Sequence, residues 1–161
     1  MTQVIKLNWK QTTFSQMRDL EDTNFYMFTR FGKIVYIGMT GVTSNQSVQD
    51  EIHSKFEPMF GGNVAGVSVW LGCFKKDARY NNSIKRLTDN IVRDVENLLI
   101  YTIKPANNTQ CVNNYGGRDL QIVNDNCPFL PSKIDSTELS RLKSKCKTLQ
   151  EYVKKQLKRD E

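Results

Sequence analysis

Apolar and polar positions along this chain follow two different periods, and the changes between them mark out the elements. Residues 4–9, Val-Ile-Lys-Leu-Asn-Trp, alternate with the period of a short strand, and a polar stretch with helical character follows to residue 22. Residues 24–31 are rich in aromatics and read as a strand, Gly32-Lys33 as a short turn, and residues 34–40 as a second strand. So short a link predicts an antiparallel hairpin. A Gly/Thr/Ser/Asn stretch at 40–47 ends the hairpin. Ser47 is placed to cap a helix over 48–57 that Pro58 ends. Residues 64–74 form a third strand, apolar enough to lie centrally, and a polar, basic connection follows over 75–82.

The longest helix is the clearest element. Ser83 caps it, Ile84, Leu87, Ile91, Val95, Leu98 and Thr102 recur at three- and four-residue steps, and Pro105 stops it. At about 100° per residue, Glu96 falls at the edge of the buried stripe centred on Val95. Residues 107–134 are rich in Asn and Gly, with one short strand at 120–123. Asp135 and Glu138 then form a capping pattern for a last helix whose seam is Leu139, Leu142, Cys146, Leu149, Val153 and Leu157. This order predicts an α+β fold, a small three-stranded antiparallel sheet flanked by helices in the order β-β-α-β-α, with N- and C-terminal additions. One domain spans 1–161, with a core at 24–110, an extension at 1–23, and a loop plus a basic C-terminal helix at 111–161.

Composition narrows the class. At 161 residues with 39% hydrophobic content the chain has enough material for a core without disulfide staples. No apolar run is long enough to span a membrane and no signal core opens the chain, so a non-secreted, cytoplasmic protein with no membrane partner is expected. The four cysteines show neither C-x-x-C nor zinc-finger spacing, and idle thiols are the expectation. With a single histidine, a divalent metal would rest on carboxylate oxygen, which suits Mg²⁺ or Mn²⁺. The net charge of +6 makes an acidic polymer a plausible partner. The segment from Lys133 to the end carries nine basic and five acidic residues.

Tyr26, followed ten residues later by Tyr36-Ile37-Gly38, resembles the two-part signature of the GIY-YIG nucleases, with Asn24-Phe25-Tyr26 where Gly-Ile-Tyr is usual. The stretch from Glu96 through Lys104-Pro105 to Asn107-Asn108 is similar to that family's E-x-x-L-I-x-x-x-K-P-x-x-N context. The likeness covers about residues 24–110. It implies phosphodiester hydrolysis with one divalent metal, Mg²⁺ or Mn²⁺, on Glu96. Tyr26 would be general base or would position the attacking water, Tyr36 and His53 would orient or relay protons, and Asn108 would hold the site together. The family places an arginine four residues before the histidine; here Gln49 stands there, and residues 41–54 contain no Arg or Lys. Arg30, Lys33, Lys55 and Arg79 are the candidate substitutes for that cation. Arg30, Lys33, Lys75, Lys76 and Arg79 are the candidate nucleic-acid contacts.

Read without the resemblance, the same residues have plainer roles. Tyr26 and Tyr36 are ordinary strand aromatics, His53 a surface residue, Glu96 a partner for Arg93 one turn away, and Asn108 a turn residue. Two functions are therefore carried forward. One is a metal-dependent endonuclease acting on nucleic acid, DNA more than RNA, of the kind used by phages, mobile elements or restriction systems. The other is a module of the same kind that holds nucleic acid or a protein partner without cleaving. A homodimer through the C-terminal seam is a third expectation.

Overall fold

The computed structural model describes residues 2–14, 23–40, 48–75, 87–142, 153–154 and 157–158. The elements run β1 (Gln3–Thr12), β2 (Thr23–Arg30), β3 (Lys33–Met39), α1 (Val48–Phe60), β4 (Val67–Phe74), α2 (Asp89–Ile103), β5 (Leu120–Asp125), β6 (Lys133–Asp135) and α3 (Ser136–Leu142).

The expected three-stranded antiparallel sheet is overturned. A single mixed sheet of six strands, curled into a half-barrel, has the order β3-β2-β4-β1-β5-β6. β2 pairs antiparallel with both β3 and β4, and β1 pairs antiparallel with β4 but parallel with β5. The segment read as an N-terminal extension thus supplies an interior strand. Local periodicity did not reveal this, because β1 joins β5 across more than a hundred residues of chain and β6 has only three residues. A local pattern shows that a strand exists, not which strand it meets.

The two faces of the sheet bury different helices. Side chains alternate across a strand. Phe25 and Met27 of β2 therefore join Ile5, Leu7 and Trp9 of β1 in a core with Ile91, Val95, Leu98 and Leu99 of α2. Tyr26 and Phe28 point the other way, into a second core with Val69, Leu71 and Ile52, Phe56 and Phe60 of α1. At the interior of the sheet, Trp9 Nε1 donates to Asn124 Oδ1 at 2.9 Å, which ties β1 to β5 inside the first core.

Element ends differ from expectation in instructive ways. The hairpin turn is Phe31-Gly32 and not Gly32-Lys33, since Arg30 pairs with Lys33. α1 continues past Pro58 to Phe60, whose ring is buried against Phe28 and Phe56. α2 begins at Asp89 with Thr88 as its cap, because Leu87 and Thr88 are not helical. The expected cap Ser83 lies outside the described residues, as do Ser47 and the stretch 41–47. At its other end Lys104 takes a left-handed conformation just before Pro105, and its N–H donates to Ile100 O. Asp135 Oδ1 accepts from the backbone N–H groups of Thr137 and Glu138, which starts α3. Of the C-terminal seam, Leu139 is buried and Val153 packs on the chain's own first core; Cys146, Leu149 and the Leu142 side chain lie outside the described residues. Cys111 and Cys127 are free thiols. Among the described residues no helix is long and apolar enough to cross a membrane.

Candidate active site at the edge of the sheet

β3 is an edge strand, and its free backbone groups need partners. The turn after α2 supplies them. Asn108 Oδ1 accepts from Ile37 N–H and Asn108 Nδ2 donates to Ile37 O, both at 2.9 Å. Asn107 N–H donates to Val35 O at 2.9 Å. The side chain of Asn108 thus does the work of a paired strand and fastens residues 107–111 over the edge of the sheet.

A cleft of about 320 Å³ opens at this edge. Tyr36 of β3, Lys55 and Met59 of α1, Glu96, Asn97 and Ile100 of α2, and residues 107–111 line it. Glu96 is the one carboxylate among these. Burial pushes its carboxyl up to about 7, against partial compensation from Arg93, from the Met39 backbone N–H and from Lys55. A carboxylate with a pKa this high is short of positive charge for the depth at which it sits.

Tyr26 lies behind the cleft. It pairs with Gly38 across the hairpin, and its ring covers that residue so closely that a Cβ at Gly38 would overlap Tyr26 Cζ. Glycine is therefore demanded by the tyrosine opposite it. The rings of Tyr26 and Tyr36 are 5.9 Å apart, and their hydroxyls are hydrogen-bonded. Burial, then Tyr36, then the carboxylates of Glu51 and Glu96 hold the Tyr26 proton in place far above the ordinary phenol range. Tyr36 is also raised by burial, but the hydrogen bond from Tyr26 eases loss of its proton. Tyr36 lines the cleft and Tyr26 does not.

α1 carries three parallel rows of side chains at four-residue steps. Ile52, Phe56 and Phe60 face the sheet. Glu51, Lys55 and Met59 form the row on the cleft side: Lys55 and Met59 line the cleft, and Glu51 acts on both tyrosines. Gln49, His53 and Glu57 form the row on the opposite side. Gln49 Nε2 donates to Phe14 O at 3.0 Å. His53 packs edge-on to the Phe14 ring at 5.3 Å and meets Glu57 Oε1 at 3.2 Å. Neither Gln49 nor His53 lines the cleft, so the structure does not bring these two expected residues to Glu96. Sequence reasoning did not single out Glu51, which stands one helical turn before Lys55 on α1. It named Lys55 only as one of several spare cations.

The other expected contacts are scattered. Arg30 lies over the rings of Phe31 and Phe60 at the hairpin tip, at 5.9 and 6.0 Å. Lys33 is exposed beside it and borders a separate, mostly apolar cleft of about 420 Å³ with Ile34, Ile103 and Phe129. Lys75 is exposed at the end of β4, and its N–H donates to Lys6 O. Lys76 and Arg79 lie outside the described residues. Asn24, at the departure from the usual first motif, has a structural task. It sits where the β2–β4 register shifts, and its Oδ1 accepts from Phe74 N–H.

Among the described residues, no group of three His, Cys, Asp or Glu side chains is arranged to hold a metal. A metal in this cleft would rest on the Glu96 carboxylate, with amide oxygens of Asn97, Asn107 or Gln110 within the same lining and water completing the shell. Cys111, also in the lining, donates to Asn97 Oδ1 at 3.1 Å. Its thiol is pushed up by burial and by Glu96, which makes it a poor nucleophile. Comparison of the chain with protein-family models, with curated proteins and with solved structures found no match.

Proposed function

We propose that the cleft at the β3 edge hydrolyses phosphodiester bonds in nucleic acid, DNA more than RNA, with a divalent metal, Mg²⁺ or Mn²⁺, on Glu96. One observation carries this reading: Lys55, Glu96 and Tyr36 line one cleft, with Tyr26 hydrogen-bonded to Tyr36 from behind. A cation, a hard anionic ligand and an ionisable hydroxyl are the groups that attack on a phosphodiester requires. The resemblance of Tyr26, Tyr36-Ile37-Gly38 and the Glu96 to Asn108 stretch to the GIY-YIG nucleases supports the same reading.

Glu96 fits the metal because its carboxylate is desolvated and lacks enough positive charge around it. When bound, Mg²⁺ or Mn²⁺ would neutralise charge on the phosphate and its leaving oxygen. Lys55 takes the part that Gln49 cannot: its ammonium faces the anionic oxygens of the phosphate and balances charge as it develops. Tyr36 first gives up its own proton to solvent, the Tyr26 hydroxyl donates to the resulting Tyr36 phenolate and stabilises it, and that phenolate then receives the proton of the attacking water. Asn108 acts at a distance by pinning β3, so that Tyr36 keeps its place opposite Glu96.

The test is cleavage of supercoiled and branched DNA with Mg²⁺ or Mn²⁺, beside Glu96→Ala and Lys55→Ala. Metal-dependent cleavage that both substitutions abolish is the expected result. A second reading, a module that binds without cleaving, draws on Gln49 and His53 facing Phe14 and on the firmly held Tyr26 proton. Salt-sensitive binding with no cleavage by the unsubstituted protein would favour it.

A further inference from the structure

Phe31 is the most exposed large hydrophobic side chain among the described residues, at 73%. A single exposed ring is unremarkable by itself. Its backbone is not. Phe31 and Gly32 both have positive φ, +48° and +77°, and form the two-residue turn between β2 and β3. The first position of such a turn favours Asn, Asp or Gly, and a bulky side chain there is strained. Phe31 accepts that strain without burying its ring.

The ring is nonetheless fixed. Phe31 N–H donates to Gly66 O at 2.9 Å, and the ring edge lies so close to Gly66 that a Cβ there would overlap it. Gly66 itself has a φ of +71°, so the α1–β4 loop is shaped around the aromatic ring. The Arg30 guanidinium lies over the Phe31 ring at 5.9 Å and over the Phe60 ring at 6.0 Å, and Lys33 is exposed two residues further on. An exposed aromatic ring held in place beside a cation matches a nucleotide, with its base on the ring and its phosphate on the cation.

The distance to the cleft fits as well. Phe28 pairs with Tyr36, and Phe31 follows three residues later, in the turn just past the end of β2, about 10 Å away at roughly 3.3 Å per residue. That equals about three stacked nucleotides at roughly 3.4 Å each. α1 runs the same way, from Lys55 in the cleft to Phe60 beneath Arg30.

We propose that Phe31 is a stacking platform for an unpaired base, so that the nucleic acid this protein takes is single-stranded, or locally opened, about three nucleotides from the cleft. A paired base offers no free face, whereas an unpaired one stacks directly on the ring. The proposal rests on the reading of nucleic acid as substrate, and it specifies the class.

Binding without cleavage separates the two. The full chain in EDTA is titrated against a labelled single-stranded oligonucleotide and against the blunt duplex of the same sequence. Phe31→Asn removes the ring and suits the turn, so its thermal melt is expected at or above that of the unsubstituted protein. It should weaken single-strand binding about tenfold and duplex binding less than twofold. Phe31→Trp should retain the affinity, with its added fluorescence quenched by the single strand. The proposal is overturned by equal losses on both probes, by no loss on the single strand, by no single-strand binding in the unsubstituted protein, or by a fall in sedimenting mass in Phe31→Asn that marks the ring as a contact between copies. Phe31-dependent single-strand binding with no metal-dependent cleavage would instead sink the nuclease reading alone.

Discussion

Lys55 and Glu96 stand on helices packed against opposite faces of the sheet, yet they line the same cleft. They meet because β3 is an edge strand, and both helices overhang it. The meeting puts Lys55, and not Gln49, in the cleft lining, and the proposed hydrolysis takes Lys55 as its cation. Lys55→Ala should lower metal-dependent cleavage about 10²–10³-fold, the usual loss for a group that stabilises developing charge. Lys55→Arg should retain a large part of the rate, and Gln49→Ala should leave it within a few-fold. Single-turnover cleavage assays on the three variants check this; equal losses at positions 49 and 55 would sink it.

Glu96 predicts a pH-dependent stability. Its carboxyl titrates near 7 when folded, against an ordinary value of 4.5. Between those values the folded chain binds more protons than the unfolded chain, so stability falls as pH rises. The stabilising contribution of the protonated group is complete below 4.5 and is lost on passing through 7. The change is on the order of 3 kcal/mol in the metal-free protein. Urea melts at pH 5 and pH 8 should show a smaller difference for Glu96→Gln than for the unsubstituted chain. Mn²⁺ should release close to one proton per ion near pH 5.5 and about half a proton near pH 7, which calorimetry in buffers of different ionisation enthalpy reads directly.

Tyr26 and Gly38 should be coupled in stability. Gly38→Ala forces a Cβ into the Tyr26 ring inside a buried hairpin, an overpacking cost of about 1–3 kcal/mol. Tyr26→Ala leaves a cavity and costs about 3–5 kcal/mol. The double variant should cost less than the sum, because the added methyl enters the space that the ring vacates. Chemical denaturation of the four proteins gives the coupling; strict additivity would contradict the contact.

Asn108→Ala leaves the Ile37 N–H and C=O without partners and should cost about 1–3 kcal/mol. Asn107→Ala keeps the backbone bond to Val35 and should stay within about 0.5 kcal/mol. Amide hydrogen exchange at Ile37 should accelerate in the first variant and not in the second.

Elements were more legible than their arrangement. The hairpin, the strand at Val67–Phe74 and the helix at Asp89–Ile103 announce themselves through aromatic runs, apolar periodicity and Pro105. The place of β1 inside the sheet did not, because its partners β4 and β5 lie far along the chain and nothing in residues 4–9 specifies them. Within the site, the sequence picked out Tyr26, Tyr36, Glu96 and Asn108, which the structure gathers at the β3 edge. On α1 the structure sets the row Glu51–Lys55 beside the cleft and the expected row Gln49–His53 against Phe14, a two-residue difference in register. On a helix such a difference turns the facing side by about 200°.

The sequence by itself determined the local conformations and the chemistry available: which segments alternate, where helices stop, and that carboxylates, tyrosines and a surplus of cations are present. Tertiary structure alone decided which of them meet. Helix rows, strand faces and edge positions are set by packing between segments far apart in the chain, and a shift of one or two residues, invisible in composition or period, redirects every side chain on the element.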